Sequence, residues 1–254
     1  MEKITSSNNN RVVMFSKLNQ KKYRDEYGLF LLENYKLIAE VVKRGDEIEQ
    51  LLIDESKQDK FEKIIQKLYE QTIILPSNIF AKISETVTSQ GIIAVMKKRD
   101  ETSIASLCGR ILVLDRIQDA GNVGTLLRSA QGFGFQNVIM IDSADEYSSK
   151  VIRSSGGSIF HLNIAHTSEK ELLNLIKRSD LAVFTADMNG SSLYETHDFP
   201  QNMMLIVGNE GQGVSTALEE ASTNNIMIPM EEGLESLNAG VSGSIIMSYI
   251  HSKK

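Results

Sequence analysis

Five short, mostly apolar runs in the second half of the chain constrain its fold more than any other feature. They are Ile111 to Leu114, Val138 to Ile141, Leu181 to Ala186, Met203 to Val207 and Ile226 to Ile228. Each is too brief for a helix, and each is apolar at nearly every position rather than at alternate ones. That pattern suits strands covered on both faces, as in a parallel sheet. Helical patterns separate the runs at Val123 to Phe133, Glu169 to Lys177 and Ser215 to Ala221, and a terminal helix is predicted from about Asn238 to His251. The alternation predicts an open α/β domain with ligands at the carboxyl ends of its strands.

A polar, charged stretch from Lys97 to Ser103 precedes this region and reads as a linker. It predicts two domains, 1–98 and 107–254. In the first, Asn19 to Arg24 looks helical and basic. Strands are predicted at Leu29 to Leu32, Ile48 to Ile53, Ile73 to Leu75 and Ile92 to Met96. Asn34 to Lys43 is an amphipathic helix with Leu37, Ile38, Val41 and Val42 on one side, ended by Gly45, and Phe61 to Tyr69 is a second helix. This part is a small α/β domain.

No apolar run in the 254 residues approaches the roughly 18–20 needed to span a bilayer. Met1 to Ser6 lacks the apolar stretch of a secretory signal. Cys108 is the lone cysteine, which excludes an intrachain disulfide and argues against a cysteine-based zinc site. A cytoplasmic protein, with no membrane or metal partner, is expected. Charge is uneven. Residues 1–100 hold 17 Lys and Arg against 15 Asp and Glu, whereas residues 101–254 hold 10 against 18. Within the first 24 residues, Lys3, Arg11, Lys17, Lys21, Lys22 and Arg24 face only Glu2. A basic leading segment is what phosphate binding requires.

Three segments put glycine beside polar residues after a strand. The first runs from Asp115 to Ala130 and contains Asn122, read as a helix cap, and Arg128 in the second turn. The second, Leu205 to Ser215, holds Gly208, Gly211 and Gly213 around Glu210; its spacing is neither the dinucleotide fingerprint nor a P-loop. The third passes from Ile228-Pro229-Met230 through Glu231 to Glu235 into Ser236-Leu237-Asn238 and the terminal helix. Gly240 and Gly243 inside that helix each cost about 1 kcal/mol relative to Ala, which suggests close approach of another backbone.

Taken in order, these segments resemble the three motifs of the SpoU/TrmH family of RNA ribose 2'-O-methyltransferases, in the SPOUT superfamily. The resemblance covers residues 111 to 250, including Tyr147 to Gly157. Ile4-Thr5-Ser6, Lys21-Lys22-Tyr23-Arg24 and Phe30-Leu31-Leu32-Glu33 resemble the RNA substrate-binding domain that precedes many such enzymes, an arrangement more typical of members acting on ribosomal RNA than on transfer RNA. The resemblance implies a SPOUT α/β domain with a mostly parallel sheet and a C-terminal trefoil knot, S-adenosyl-L-methionine as cofactor, and a homodimer built partly on the terminal helix, where Gly240 and Gly243 would suit a close interface. It implies catalytic positions at Asn122, Arg128, Glu210 and Asn238. Thr185, Ala186, Gly208, Ile228 and Leu237 would line the cofactor site, and Arg11, Lys21, Lys22 and Arg24 would contact RNA. Three residues depart from the family pattern: Ala120 where Pro is usual, Asn34 where Gly follows Glu33, and Gly240 where the third motif has Ser.

Methyl transfer to a ribose hydroxyl needs positioning and help in removing a proton. The four histidines, His161, His166, His197 and His251, lie outside the motifs and read as structural or exposed. The family has an arginine proposed as base at the position of Arg128. A guanidinium holds its proton tightly, so a phosphate clamp is the preferred role. Asp115 and Asp119 flank a strand end and a turn, where aspartate is common, and read as structural rather than metal ligands. The alternatives are a ribose methyltransferase of the same fold acting on transfer RNA, and an RNA-binding protein that keeps the fold without catalysis.

Overall fold

The computed structural model describes residues 1–86, 88–231, 233 and 236–253. Contacts divide the chain into two units, one comprising Met1–Arg99 with Tyr147–Ser149, the other Asp100–Glu146 with Lys150–Lys254.

The first unit contains β1 (Glu2–Lys3), α1 (Asn10–Lys17), α2 (Lys21–Tyr27), β2 (Leu29–Leu32), α3 (Tyr35–Arg44), β3 (Ile48–Asp54), α4 (Glu62–Lys67), β4 (Thr72–Leu75), α5 (Ser77–Ile83) and β5 (Ile92–Lys97). Its sheet runs β1-β4-β3-β5-β2. β1, β4 and β3 pair in parallel, while β5 runs antiparallel to β3 and β2. One face carries a core of Phe15, Leu18, Leu52, Ile73, Leu75, Phe80, Ile83 and Ile93. Helix α3 ends where expected, with Gly45 left-handed at φ 86°. Its cap explains one departure from the family: the Asn34 side chain accepts from Lys36 N at 3.0 Å and Leu37 N at 3.3 Å, which glycine cannot do. The helix expected over Phe61 to Tyr69 is shorter, because residues 55–61 form a 3-10 turn first.

The second unit contains β6 (Arg110–Asp115), α6 (Ala120–Phe133), β7 (Asn137–Ile141), α7 (Ser149–Ser155), β8 (Asn163–His166), α8 (Glu169–Arg178), β9 (Ala182–Ser192), β10 (Met203–Gly208), α9 (Thr216–Glu220), β11 (Asn224–Met227) and α10 (Ala239–Ser252). The sheet order is β11-β9-β10-β6-β7-β8 and every pairing is parallel. β6, β7 and most of β10 are buried throughout, as the unbroken apolar runs require. Leu172 and Leu218 from α8 and α9 close one face over Ile111, Val113, Ile139 and Ile206. On α10, Gly243 lies so close to α6 that a Cβ there would stand 2.3 Å from Leu126 Cδ2. The helix glycines thus serve packing within the chain. No described helix is long and apolar enough to cross a membrane.

Candidate active site

The cap of helix α6 lies three residues before the one expected from sequence. Asp119 is the N-cap, and its Oδ1 accepts Asn122 N at 2.9 Å. Ala120 therefore holds the first helical position, where proline is favoured but not required. This arrangement frees the Asn122 side chain. It is 7% exposed, and its Nδ2 donates to Glu210 Oε1 at 2.7 Å, joining the first and second motifs.

The third motif meets the same point. Asn238 caps α10, its Oδ1 accepting Val241 N at 3.2 Å. Gly240 lies between the two amides: a Cβ there would be 3.1 Å from Asn122 Oδ1 and 3.2 Å from Asn238 Oδ1. Asn122, Glu210 and Asn238 thus form one cluster at the carboxyl end of the sheet. Arg128 stands farther along α6, exposed, with its guanidinium about 3.9 Å from where a Gly156 side chain would begin.

The loop bearing Glu210 is braced by Asp115, Arg116 and Asn209. Asp115 ends β6 fully buried. Arg116, left-handed at φ 58°, donates to both its oxygens at 2.9 Å. The Asp115 carboxylate raises the pKa of that guanidinium, and it also accepts Ser215 N at 2.9 Å. Asn209 Nδ2 donates to Arg116 O at 2.9 Å, while Asn209 Oδ1 accepts Gly211 N at 2.9 Å and Gln212 N at 3.1 Å. The space beside Gly208 is filled by this loop itself, since a Cβ would come within 2.2 Å of Val214 N. Glycine at 208 is therefore required for the loop to close. The left-handed Arg116 and the Asn209 bridge have no signal in a single sequence beyond the Asn-Glu-Gly turn itself.

Thr185 is fully buried on β9, its hydroxyl paired with that of Ser222. Beyond it the ladder with β11 slips: Asn225 pairs with Thr185 but Ile226 pairs with Ser191, so residues 186–190 leave the register. Ala186 within β9 and Ile228 and Leu237 between β11 and α10 are half-buried. Glu232, Leu234 and Glu235 of the third motif lie outside the described residues. No cluster of three or more His, Cys, Asp or Glu is placed to hold a metal among the described residues. His166 Nε2 lies 3.0 Å from Glu146 Oε1, and His251 Nδ1 lies 3.1 Å from Phe133 O.

In the first unit, Arg11 pairs with Glu2, and Lys21 and Lys22 are exposed. Tyr23 stacks on Tyr27 with centroids 6.3 Å apart, and the ammonium groups of Lys17 and Lys22 lie 5.1 and 5.6 Å from the Tyr23 ring centre. Arg24 differs from the other three basic positions. It is 5% exposed, and its Nη1 donates to Leu18 O at 2.7 Å at the end of α1.

Residues 109–248 match the SpoU rRNA Methylase family, and residues 9–94 match the MRM3-like substrate binding domain. A Bacillus subtilis protein, 23S rRNA (guanosine(2553)-2'-O)-methyltransferase RlmP, is 30% identical over 98% of this chain and 99% of its own length. A Streptomyces azureus 23S rRNA (adenosine(1067)-2'-O)-methyltransferase is 32% identical over 62% of this chain and 60% of that protein. Among solved structures, a putative RNA methyltransferase of the TrmH family from Porphyromonas gingivalis superposes with a TM-score of 0.85 at 28% identity, covering 97% of this chain and 98% of that one.

Proposed function

The chain belongs to the SpoU rRNA methylase family, and on that premise we propose that it transfers a methyl group from S-adenosyl-L-methionine to a ribose 2'-hydroxyl of ribosomal RNA. The observation that carries the reading is the 2.7 Å bond from Asn122 to Glu210, with Asn238 across Gly240. It brings all three motifs to one point. The substrate-binding domain and the ribosomal RNA relatives favour that RNA over transfer RNA.

The residues fit the cofactor. Thr185, Ala186, Gly208, Ile228 and Leu237 offer main-chain groups and apolar surface with no charged side chain, which suits an adenine ring and a sulfonium. The cofactor supplies an activated methyl group, so the protein's work is positioning. Asn122, Glu210 and Asn238 orient the ribose. Arg128 holds an adjoining phosphate, which brings the hydroxyl into line. Arg11, Lys21 and Lys22 contact RNA in the first unit, while Arg24 braces the end of α1. The reading includes a trefoil knot and a homodimer, as the family resemblance implies, together with the cytoplasmic location expected from composition.

The test is incubation with methyl-labelled S-adenosylmethionine and ribosomal RNA from a strain lacking the gene. Label on a ribose 2'-oxygen is the expected result. Arg128→Ala should abolish label while cofactor affinity stays within about twofold; normal turnover in that variant sinks the assignment. Absence of both label and cofactor binding in the wild type would move the reading to a non-catalytic RNA-binding protein.

A further inference from the structure

Residues 101–254 contain only ten cationic side chains against eighteen acidic ones. Such a unit repels RNA unless its few cations stand where the strand must lie. Arg110 is buried, and Arg116 is committed to Asp115. Lys170, Lys177 and Arg178 belong to α8, and Lys253 and Lys254 are the last two residues. The remaining three are Arg128, Lys150 and Arg153, on α6 and α7.

The packing of α7 on α6 puts these three together. A Cβ at Gly124 would meet Ser154 Oγ at 1.9 Å and Ser155 N at 2.8 Å, so α7 lies directly on the α6 backbone. Ser154 Oγ also donates to Ala120 O at 3.1 Å. Lys150, three residues after Tyr147, thereby reaches the start of α6. Its Nζ is 2.9 Å from Asp119 Oδ2, with the side chain 60% exposed. Arg153 is one turn on and exposed. Its carbonyl accepts Gly156 N at 3.2 Å, and Gly156 adjoins the Arg128 guanidinium. Lys150 thus stands at the cap of α6, Arg153 is exposed one turn on along α7, and Arg128 lies beside the end of α7.

We propose that Lys150 and Arg153 form a backbone clamp that binds the RNA phosphates beside the ribose presented to Asn122 and Glu210. This rests on the RNA-methylating reading above. The occupant is an RNA strand because consecutive phosphates match a row of exposed cations, whereas a single small anion would need only one.

The experiment measures affinity of the full chain for ribosomal RNA extracted from a strain lacking the gene, across a range of potassium chloride concentrations. Each lost phosphate contact lowers the slope of log affinity against log salt by about 0.7 to 0.9. Lys150→Gln with Arg153→Gln should reduce the slope by about 1.5 and weaken binding roughly tenfold or more at moderate salt, with S-adenosylmethionine affinity unchanged. Arg153→Lys should keep the wild-type slope, and Lys170→Gln on α8 should leave it untouched. An unchanged slope in the double variant, with normal wild-type binding, overturns the clamp and leaves the enzymatic reading intact. A wild-type chain that shows no salt-dependent RNA binding overturns both.

Discussion

Asn209 donates to the carbonyl of Arg116 at 2.9 Å while its own oxygen takes up the main-chain N–H groups of Gly211 and Gln212. One side chain thus ties the loop after β6 to the loop after β10 and fixes the backbone on either side of Glu210. Asn209→Asp keeps the acceptor but sets a carboxylate oxygen against the Arg116 carbonyl. Loss of a part-buried hydrogen bond costs about 1–3 kcal/mol, which corresponds to about fivefold to 150-fold if it falls on the transition state. We expect that loss in kcat, with KM for S-adenosylmethionine changed far less. Equal falls in kcat and thermal stability with no such split would make Asn209 a stabilising residue only.

Asp119 couples the helix cap to the proposed clamp. Its carboxyl is held below its ordinary value of 3.8, chiefly by the Lys150 side chain and then by the Asn122 N–H. A depressed carboxylate contributes stability that is complete above the ordinary value and is lost as pH falls through the lowered one. With the side chain half exposed, solvent screening keeps the ion-pair part small, and the cap is worth about 0.5–2 kcal/mol. Acid titration of thermal stability should show a shallower fall below pH 4 in Asp119→Asn than in the wild type. Identical acid limbs would remove Asp119 from the account.

How far the chain was legible depends on what each feature rests upon. β6, β7 and β10 were readable because a strand buried on both faces is apolar throughout, and Ile111 to Leu114 can hardly be anything else. α3 declared itself through Leu37, Ile38 and Val41, with Gly45 after it. α1 and α5 carry little signal in the sequence because Asn10–Lys17 and Ser77–Ile83 are short helices next to loops, and their apolar residues give too few turns to set a period. β8 is four residues with an exposed first position, recognisable only beside β7. At the site, the motif residues were visible as types at a spacing, but their alliance was not. Asparagine is a common cap, which is what the position of Asn122 suggests, but Asp119 three residues earlier does that work. The glycines in α10 signal close approach of another element but not which one; for Gly243 it is Leu126 of α6.

Arg110 at the start of β6 offers a test of polar burial. It is 6% exposed, and its Nε and Nη1 have no hydrogen-bond partner among the described residues. Burial pushes its guanidinium pKa down. Its carbon Cζ lies 6.0 Å from the centre of the Phe135 ring, a contact worth about 0.5–2 kcal/mol. Unsatisfied donors cost about as much or more. Replacement by an apolar side chain of similar length removes both terms. Arg110→Met should leave thermal stability unchanged or raised by a few degrees, with methylation unaffected. A fall equivalent to about 2 kcal/mol or more would show that the guanidinium has an anionic partner in the folded protein.

Gly240 separates two amide oxygens of the proposed site, and it departs from the family's serine. A Cβ at this position would press on Asn122 Oδ1 at 3.1 Å, Asn238 Oδ1 at 3.2 Å and Thr125 Cβ at 3.2 Å. Each neighbour must give by a few tenths of an ångström. Alanine adds that crowding and nothing else, so Gly240→Ala should disturb the Asn122 bond to Glu210 and lower kcat. The helix gains up to about 1 kcal/mol from replacing glycine, which the crowding offsets. Serine brings the same Cβ and a hydroxyl that can donate to either amide oxygen, turning a repulsive contact into a hydrogen bond. Gly240→Ser should therefore retain more turnover than Gly240→Ala, by about threefold to tenfold, at similar thermal stability. Side-by-side single-turnover rates decide the point: if the two variants react equally, the hydroxyl has no part in ordering Asn122 and Asn238, and the cluster works through its amides alone.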